Sequence, residues 1–187
     1  KYFIENRTFV DYENLAPHLV DALVATEDVR YYKHSGIDVR SLARVAVYSV
    51  LLGRDEGGGS TISQQLAKNL FPRDTTINKT SIGRAAHLAV NKFKEWNTGV
   101  RLERAYTKDE IITMYLNTVP FGGESILGIQ SAAKTFFNTS PDSLTLDQAA
   151  ILVGMLKATT AYNPRLNPER SRQRRNIVIS QMEKYGY

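Results

Sequence analysis

The sequence predicts a mainly α-helical protein, and three observations carry that prediction. Hydroxyl side chains followed three residues later by Glu or Gln, the signature of a capping box, recur along the chain. Apolar residues then repeat at i, i+3, i+4 and i+7, the spacing of one helix face. Alternating apolar and polar residues are nearly absent: only Tyr2-Phe3-Ile4 and Thr8-Phe9-Val10 suggest strands, as a short hairpin arm.

Taken in order, a first helix is expected from Pro17 to about Arg30 and a second from Val39 to Leu52. Thr61 with Gln64 opens a third, through Leu70. The turn-rich stretch from Phe71 to Thr80 is expected to be a mobile loop. A long helix follows from about Ser81 to Ala105, and Thr107 with Glu110 opens one through Tyr115. Thr145 with Gln148 opens one through Leu156. Asn167 before Pro168 reads as an N-cap with proline at the first helical position, opening the last helix towards Lys184.

The 187 residues suit one domain, or one domain with a small lobe. A chain of that length buries enough surface to need no covalent staple. The absence of cysteine excludes a disulfide framework, a thiolate zinc site and cysteine nucleophilic catalysis. The longest charge-free run, Ile111 to Gly123, contains Asn117, Pro120 and two glycines, so a membrane-spanning segment is not expected. The start, Lys1-Tyr2-Phe3-Ile4-Glu5-Asn6-Arg7, has no apolar core of a signal peptide and looks like an excised piece. The net charge of +5 is concentrated in residues 165–175, which hold five arginines and one glutamate. That segment suits an anionic partner such as nucleic acid, a phosphorylated ligand or a membrane surface, or is a solvated helix face.

Two acids interrupt apolar patterns. Val20, Leu23 and Val24 call for a hydrophobe at i+7, where Glu27 stands. A carboxylate in an apolar setting is a candidate general base; the alternative is an acid paired with Arg30. In the long helix Leu88, Ala89, Phe93, Trp96 and Val100 form an expected apolar stripe, with Lys92 and Glu95 on its flank. Those two are a candidate acid and cation, or an ordinary i,i+3 ion pair. Gly99, one turn on, would admit a close backbone approach. Two such carboxylates are what glycosyl chemistry uses. Gly57-Gly58-Gly59-Ser60-Thr61 runs into a helix start, where free N–H groups and the helix dipole favour anions, and Lys68 lies two turns further on. The alternative is a linker followed by a cap, which leaves Gln65 and three glycines unexplained. No Gly-Lys-Ser/Thr follows, so this is not a nucleotide phosphate loop.

Five segments, in order, carry a resemblance. They are Ala25 to Gly36 (Ala-Thr-Glu-Asp-Val-Arg-Tyr-Tyr-Lys-His-Ser-Gly), Gly58 to Leu70, Asn91-Lys92-Phe93-Lys94-Glu95, Lys108 to Asn117, and Lys157 through Tyr162-Asn163-Pro164 to Asn176. Together the sequence resembles the peptidoglycan glycosyltransferase domain, the family 51 glycosyltransferases of class A penicillin-binding proteins and monofunctional transglycosylases. The resemblance implies a lysozyme-like helical lobe with a smaller membrane-facing apolar lobe, to which residues 39–90 contribute. It implies inverting polymerisation of lipid II with loss of undecaprenyl pyrophosphate, at the outer face of the bacterial cytoplasmic membrane, with the anchor expected before residue 1. Glu27 would be the general base and Glu95 the second acid. Lys68 and Lys92 would clamp the pyrophosphate, and Ser60, Thr61, Gln64 and Gln65 would hold sugar or phosphate. Asn117 and Arg175 fall on motif positions of the substrate site.

The chain departs from the family pattern at several places. Asn91 stands where arginine is usual, with Arg84 the substitute cation. Tyr31 replaces phenylalanine, Leu156 and Thr159 stand where prolines are common, and an insertion falls around residues 72–88. No cofactor is required by this chemistry, though a divalent cation, Mg or Mn, is compatible with it. Partners implied are lipid II, the growing glycan, a membrane surface and phosphoglycolipid inhibitors of the moenomycin type, with no nucleic acid. A lysozyme-like muramidase is the alternative enzyme, but it gives no reason for the lysines. A helical nucleic-acid binder using Arg165 to Arg175 is the non-enzymatic alternative, and the segment lacks interleaved aromatics.

Overall fold

The computed structural model describes residues 9–52, 59–72, 81–122 and 126–187, with the backbone alone at 46, 48–52 and 81–86. The described residues are mainly helical and contain no strand, only an isolated bridge between Pro120 and Leu127. The helices are α1 (Pro17–Glu27), α2 (Val39–Leu52), α3 (Ile62–Leu70), α4 (Ser81–Ala105), α5 (Lys108–Thr118), α6 (Gly128–Phe137), α7 (Leu146–Met155) and α8 (Pro168–Tyr185). None of them is long and apolar enough to cross a membrane. The chain divides into a split unit, Lys1–Val29 with Ile112–Tyr187, and an inserted unit, Arg30–Ile111.

In the split unit α1 packs on α7 and α8, and α7 packs on α8. Leu19 and Leu23 of α1, Leu152 and Val153 of α7, and Val178 of α8 are fully buried. Each such side chain contributes about 1.5–3 kcal/mol by leaving water. The expected Thr145–Gln148 box is complete, with both reciprocal bonds present. Helix α1 stops three residues short of the expected Arg30, because Asp28 leaves helical geometry at φ −157° and ψ 70°. Three residues on, Tyr31, which belongs to the inserted unit, enters a short 3₁₀ turn, Tyr31–Lys33, and is fully buried. Helix α8 begins at Pro168 as expected, but the Asn167 side chain does not cap it. Its Nδ2 donates to the Thr160 carbonyl at 3.1 Å instead.

Helix α6 was not expected. Its first residue, Gly128, has φ +77°, and a Cβ there would stand 2.7 Å from the Asn117 carbonyl oxygen. Only glycine combines that backbone with that approach. The residues of the expected hairpin arm up to Thr8 and most of the expected mobile loop, 73–80, lie outside the described residues.

In the inserted unit α3 packs on α4 and buries Ile62, Leu66 and Ala67. Asp38 caps α2: Oδ1 accepts from the Arg40 and Ser41 N–H groups at 3.1 and 3.3 Å. Its Oδ2 accepts from Ser41 Oγ at 2.7 Å and Arg30 Nε at 3.1 Å. Burial pushes this carboxyl up, but the Ser41 bonds and the Arg30 charge outweigh it and hold it below the usual range.

The expected apolar stripe of α4 is corrected in its first half. Leu88 and Phe93 are 55% and 68% exposed, and Ala89 is exposed too. The buried face carries Asn91, Glu95 and Gly99 instead. Helix α3 presents Ser63 and Gln64 at its start, and polar groups that bond one another can replace apolar contact. At Gly99 the anticipated close approach is present: its Cβ would lie 3.4 Å from Gln64 Cγ. Gly36, at φ +91°, presses its Cα side on the same turn, where a Cβ would meet the Gly99 carbonyl carbon at 2.8 Å.

Candidate active site

The residues singled out in the sequence fall into both units. In the inserted unit three of them meet. Lys92 Nζ donates to Ser60 Oγ at 2.6 Å and to Glu95 Oε2 at 3.3 Å. Glu95 is 7% exposed, whereas the Lys92 side chain is 31% exposed. The i,i+3 spacing on α4 sets the pair, and Ser60, one residue before the α3 cap, fixes the ammonium from the other side. A partly exposed cation locked beside a buried carboxylate can receive developing negative charge without reorganising.

Thr61 and Gln64 are buried and point inward. Thr61 Oγ1 accepts from the Gln64 N–H at 3.2 Å, which is half of the expected capping box. The Gln64 side chain does not return the bond. Its Nε2 donates to the Gly36 carbonyl at 3.0 Å, and Thr61 Oγ1 donates to the same oxygen at 2.8 Å. Both side chains thus anchor the segment after Tyr31 to the start of α3. Gln64 Oε1 is buried and finds no hydrogen-bond partner among the described residues. Gln65 is half-buried. Lys68 is exposed in the last turn of α3, and no described residue pairs with it. Asn91, where a cation was missed, is buried with its Nδ2 3.2 Å from His87 Nδ1. The Arg84 side chain lies outside the described residues.

In the split unit Glu27 is the last residue of α1 and half-buried. Tyr115 is fully buried near it. Burial first, and the Glu27 charge second, raise the Tyr115 phenol well above its usual range, so it stays protonated. Arg30, the alternative partner considered for Glu27, is bound to Asp38 in the inserted unit. Asn117 is a tether: its Oδ1 accepts from the Val10 N–H at 3.0 Å, and its Nδ2 donates to the Val10 and Thr113 carbonyls at 2.9 Å. Arg175 bonds Asn176 Oδ1 at 2.8 Å through Nη2 and lies 3.5 Å from Asp147. Three of the other four arginines of the basic segment are also engaged. Arg165 donates to the Thr135 carbonyl, Arg172 pairs with Glu169, and Arg174 lies over the Tyr162 ring.

Sequence reasoning missed one network. Glu103, with a side chain 4% exposed, accepts from Ser63 Oγ at 2.5 Å and pairs with Lys108 Nζ at 2.7 Å. Lys108 also donates to the His34 carbonyl at 2.8 Å and sits 4.2 Å from the Tyr31 ring centroid. Glu103 and Lys108 are five apart and on different helices, so no helical spacing rule links them. No group of three His, Asp or Glu side chains suited to a metal occurs among the described residues. Glu95 offers one carboxylate, so a Mg or Mn ion here would take its other ligands from phosphate and water.

The transglycosylase family model matches residues 2–183. The chain is 37% identical over 185 residues to penicillin-binding protein 1F of Bacillus subtilis, covering 99% of this chain and 24% of that protein. It is 38% identical over 185 residues to penicillin-binding protein 1A of Aquifex aeolicus, covering 98% and 24%. With penicillin-binding protein 1A of Escherichia coli it shares 35% identity over 189 residues, covering 100% and 21%. The chain thus spans about a quarter or less of the length of these relatives.

Proposed function

The chain belongs to the transglycosylase family and is a glycosyltransferase, and from that premise we propose that it polymerises lipid II into peptidoglycan strands. The observation that carries this reading is the Ser60–Lys92–Glu95 cluster, with Lys68 exposed nearby in sequence on α3. A pyrophosphate leaving group needs neutralisation of charge rather than a strong proton donor. Lys92 and Lys68 supply that charge, and Glu95 holds Lys92 in place or serves a metal carried by the pyrophosphate. Ser60 and Gln65 contact sugar or phosphate, and Thr61 and Gln64 shape the same segment. Arg84 and Arg175 complete the substrate set by resemblance to the family, whereas the buried Asn117 amide is spent on Val10 and Thr113 and holds the fold instead.

Glu27 takes the proton of the acceptor sugar's 4-hydroxyl as that oxygen attacks the anomeric carbon of the growing chain. Configuration inverts in one displacement, and undecaprenyl pyrophosphate leaves. Such a substrate is lipid-anchored, so the enzyme works at the outer face of the cytoplasmic membrane. The exposed apolar residues Val39, Val47, Phe71, Leu88, Val90 and Phe93 of the inserted unit form its membrane-facing part. A phosphoglycolipid of the moenomycin type would compete for the same cations.

The test is Glu27→Gln in purified protein given lipid II. Loss of a general base lowers the rate by about 10²–10⁴-fold. Polymerisation at the parent rate overturns the role of Glu27, and absence of glycan growth by the parent chain overturns the function.

A further inference from the structure

An open cleft of about 440 Å³ lies entirely within the inserted unit, at the corner where α4 ends and α5 begins. Its volume falls in the range of small-molecule sites, ~300–1,000 Å³. Tyr32, Lys33, Ser35, Glu103, Tyr106 and Lys108 contribute to its lining. Glu103 lies eight residues beyond Glu95 on α4, about 12 Å along the helix at 1.5 Å per residue. The cleft therefore does not coincide with the Ser60–Lys92–Glu95 cluster.

Two features narrow what it can hold. Tyr32 and Tyr106 are 51% and 46% exposed, so two rings each offer an apolar body with a polar tip to the cleft. Tyr32 packs edge-on against the buried Tyr31, with centroids 5.2 Å apart and planes at 69°, so its ring is held in place before any ligand arrives. The charges, meanwhile, are mostly compensated. Lys108 and Glu103 neutralise each other at 2.7 Å. Among the described lining residues Lys33 alone presents a cation without a carboxylate partner. An anionic ligand would gain Lys33 alone, since the buried Glu103 carboxylate already neutralises Lys108. A polyhydroxylated, uncharged ligand would instead pack its C–H faces on the tyrosines and exchange hydrogen bonds with the Lys33 ammonium and the tyrosine and Ser35 hydroxyls.

We infer that this cleft is a second saccharide-binding site, which takes a neutral N-acetylated sugar segment away from the candidate active site. The choice of an N-acetylated sugar rests on the proposed function; the choice of a saccharide rests on the tyrosines and the compensated charges. A site of this kind would hold glycan without cleaving or extending it.

The experiment titrates tetra-N-acetylchitotetraose, which has no pyrophosphate and no peptide, into the Glu27→Gln chain by calorimetry and saturation-transfer NMR. Binding with a dissociation constant on the order of millimolar is expected, weakened about tenfold in Tyr106→Ala and likewise in Tyr32→Ala, and retained in Lys68→Ala. Both tyrosines are exposed, and circular dichroism of each variant checks that it is folded. No binding at about 10 mM probe, or binding indifferent to both tyrosine changes, overturns the proposal. Binding abolished by Lys68→Ala overturns it too, since the sugar would then occupy the active site. Polymerisation of lipid II is assayed separately. Saccharide binding through Tyr106 without polymerisation sinks the proposed function and leaves the cleft standing; polymerisation without binding does the reverse.

Discussion

The two units of this chain differ in how many polar groups they bury. In the split unit the core of α1, α7 and α8 is apolar, with Leu19, Leu23, Leu152, Val153 and Val178 fully buried, although Phe9, Leu166 and Ile177 are exposed. Asn117 there bonds Val10 and Thr113 main-chain atoms. In the inserted unit Thr61, Ser63, Gln64, Asn91 and Glu95 are buried, whereas Leu88, Val90 and Phe93 of the neighbouring helix face outward. Burying polar groups costs free energy unless they are bonded, and exposing apolar ones forfeits what burial would contribute. A segment that does both is arranged for contact with something other than its own core. Substitutions in the apolar core of the first should therefore change stability, and substitutions at the exposed cations and apolar side chains of the second should change activity or membrane contact while stability holds.

The largest effect is expected at Leu152, fully buried on α7 between α1 and α8. Leu152→Ala should destabilise the chain by about 2–5 kcal/mol through lost transfer energy and the cavity left behind. Urea unfolding measures this through the midpoint, with the slope unchanged. A loss below about 1 kcal/mol would mean that the split unit is packed loosely, and the contrast between units would fail.

Lys68→Ala comes next and should act the other way. Lys68 is exposed on α3, and no described residue pairs with it, so stability should stay within about 0.5 kcal/mol of the parent. Polymerisation should fall by about 10²-fold, or about 2.7 kcal/mol of transition-state stabilisation. A stability loss of Leu152 size, with activity retained, would make Lys68 a structural residue and blur the boundary between the units.

The same contrast decides what could be read from the sequence. Capping chemistry is local, and so the starts of α3, α5 and α7 were legible from Thr61, Thr107 and Thr145. The Thr107 N–H and Glu110 carboxylate meet at 2.7 Å as that reasoning requires. Helix α6 escaped because Leu127 offers no capping side chain, and its start depends on Gly128 fitting under the Asn117 carbonyl, a contact across the chain. A signal was present in Ile129, Ala132 and Ala133, spaced at i, i+3 and i+4 and all buried. Helix α4 misled for a different reason. Periodicity locates an apolar face but assumes that this face turns inward, and Asn91, Glu95 and Gly99 occupy the inner face instead. Lys92 and Glu95 were legible as neighbours, whereas the third member, Ser60, lies 32 residues away and needed the fold. The Glu103–Lys108 network was invisible for the same reason, since it depends on the turn between two helices.

The smallest effect on stability is expected at Phe93, and it tests the inversion most directly. Phe93 is 68% exposed and lies on the side of α4 away from Asn91 and Glu95. If that exposure is the resting state of the fold, Phe93→Ser removes little internal packing, and the unfolding midpoint should shift by no more than about 0.5 kcal/mol. A ring that served the core would cost about 3–5 kcal/mol on truncation. The two outcomes are far enough apart for urea titration to separate. A second readout concerns the purpose of the exposure. With Leu88→Ser added, sedimentation with anionic phospholipid vesicles should fall while the urea midpoint holds, because the pair would give up apolar area to the lipid surface and little to the core. A stable double variant that still sediments like the parent would remove membrane contact as the reason for the outward face, and a large loss of stability would return α4 to the rule that governs the split unit.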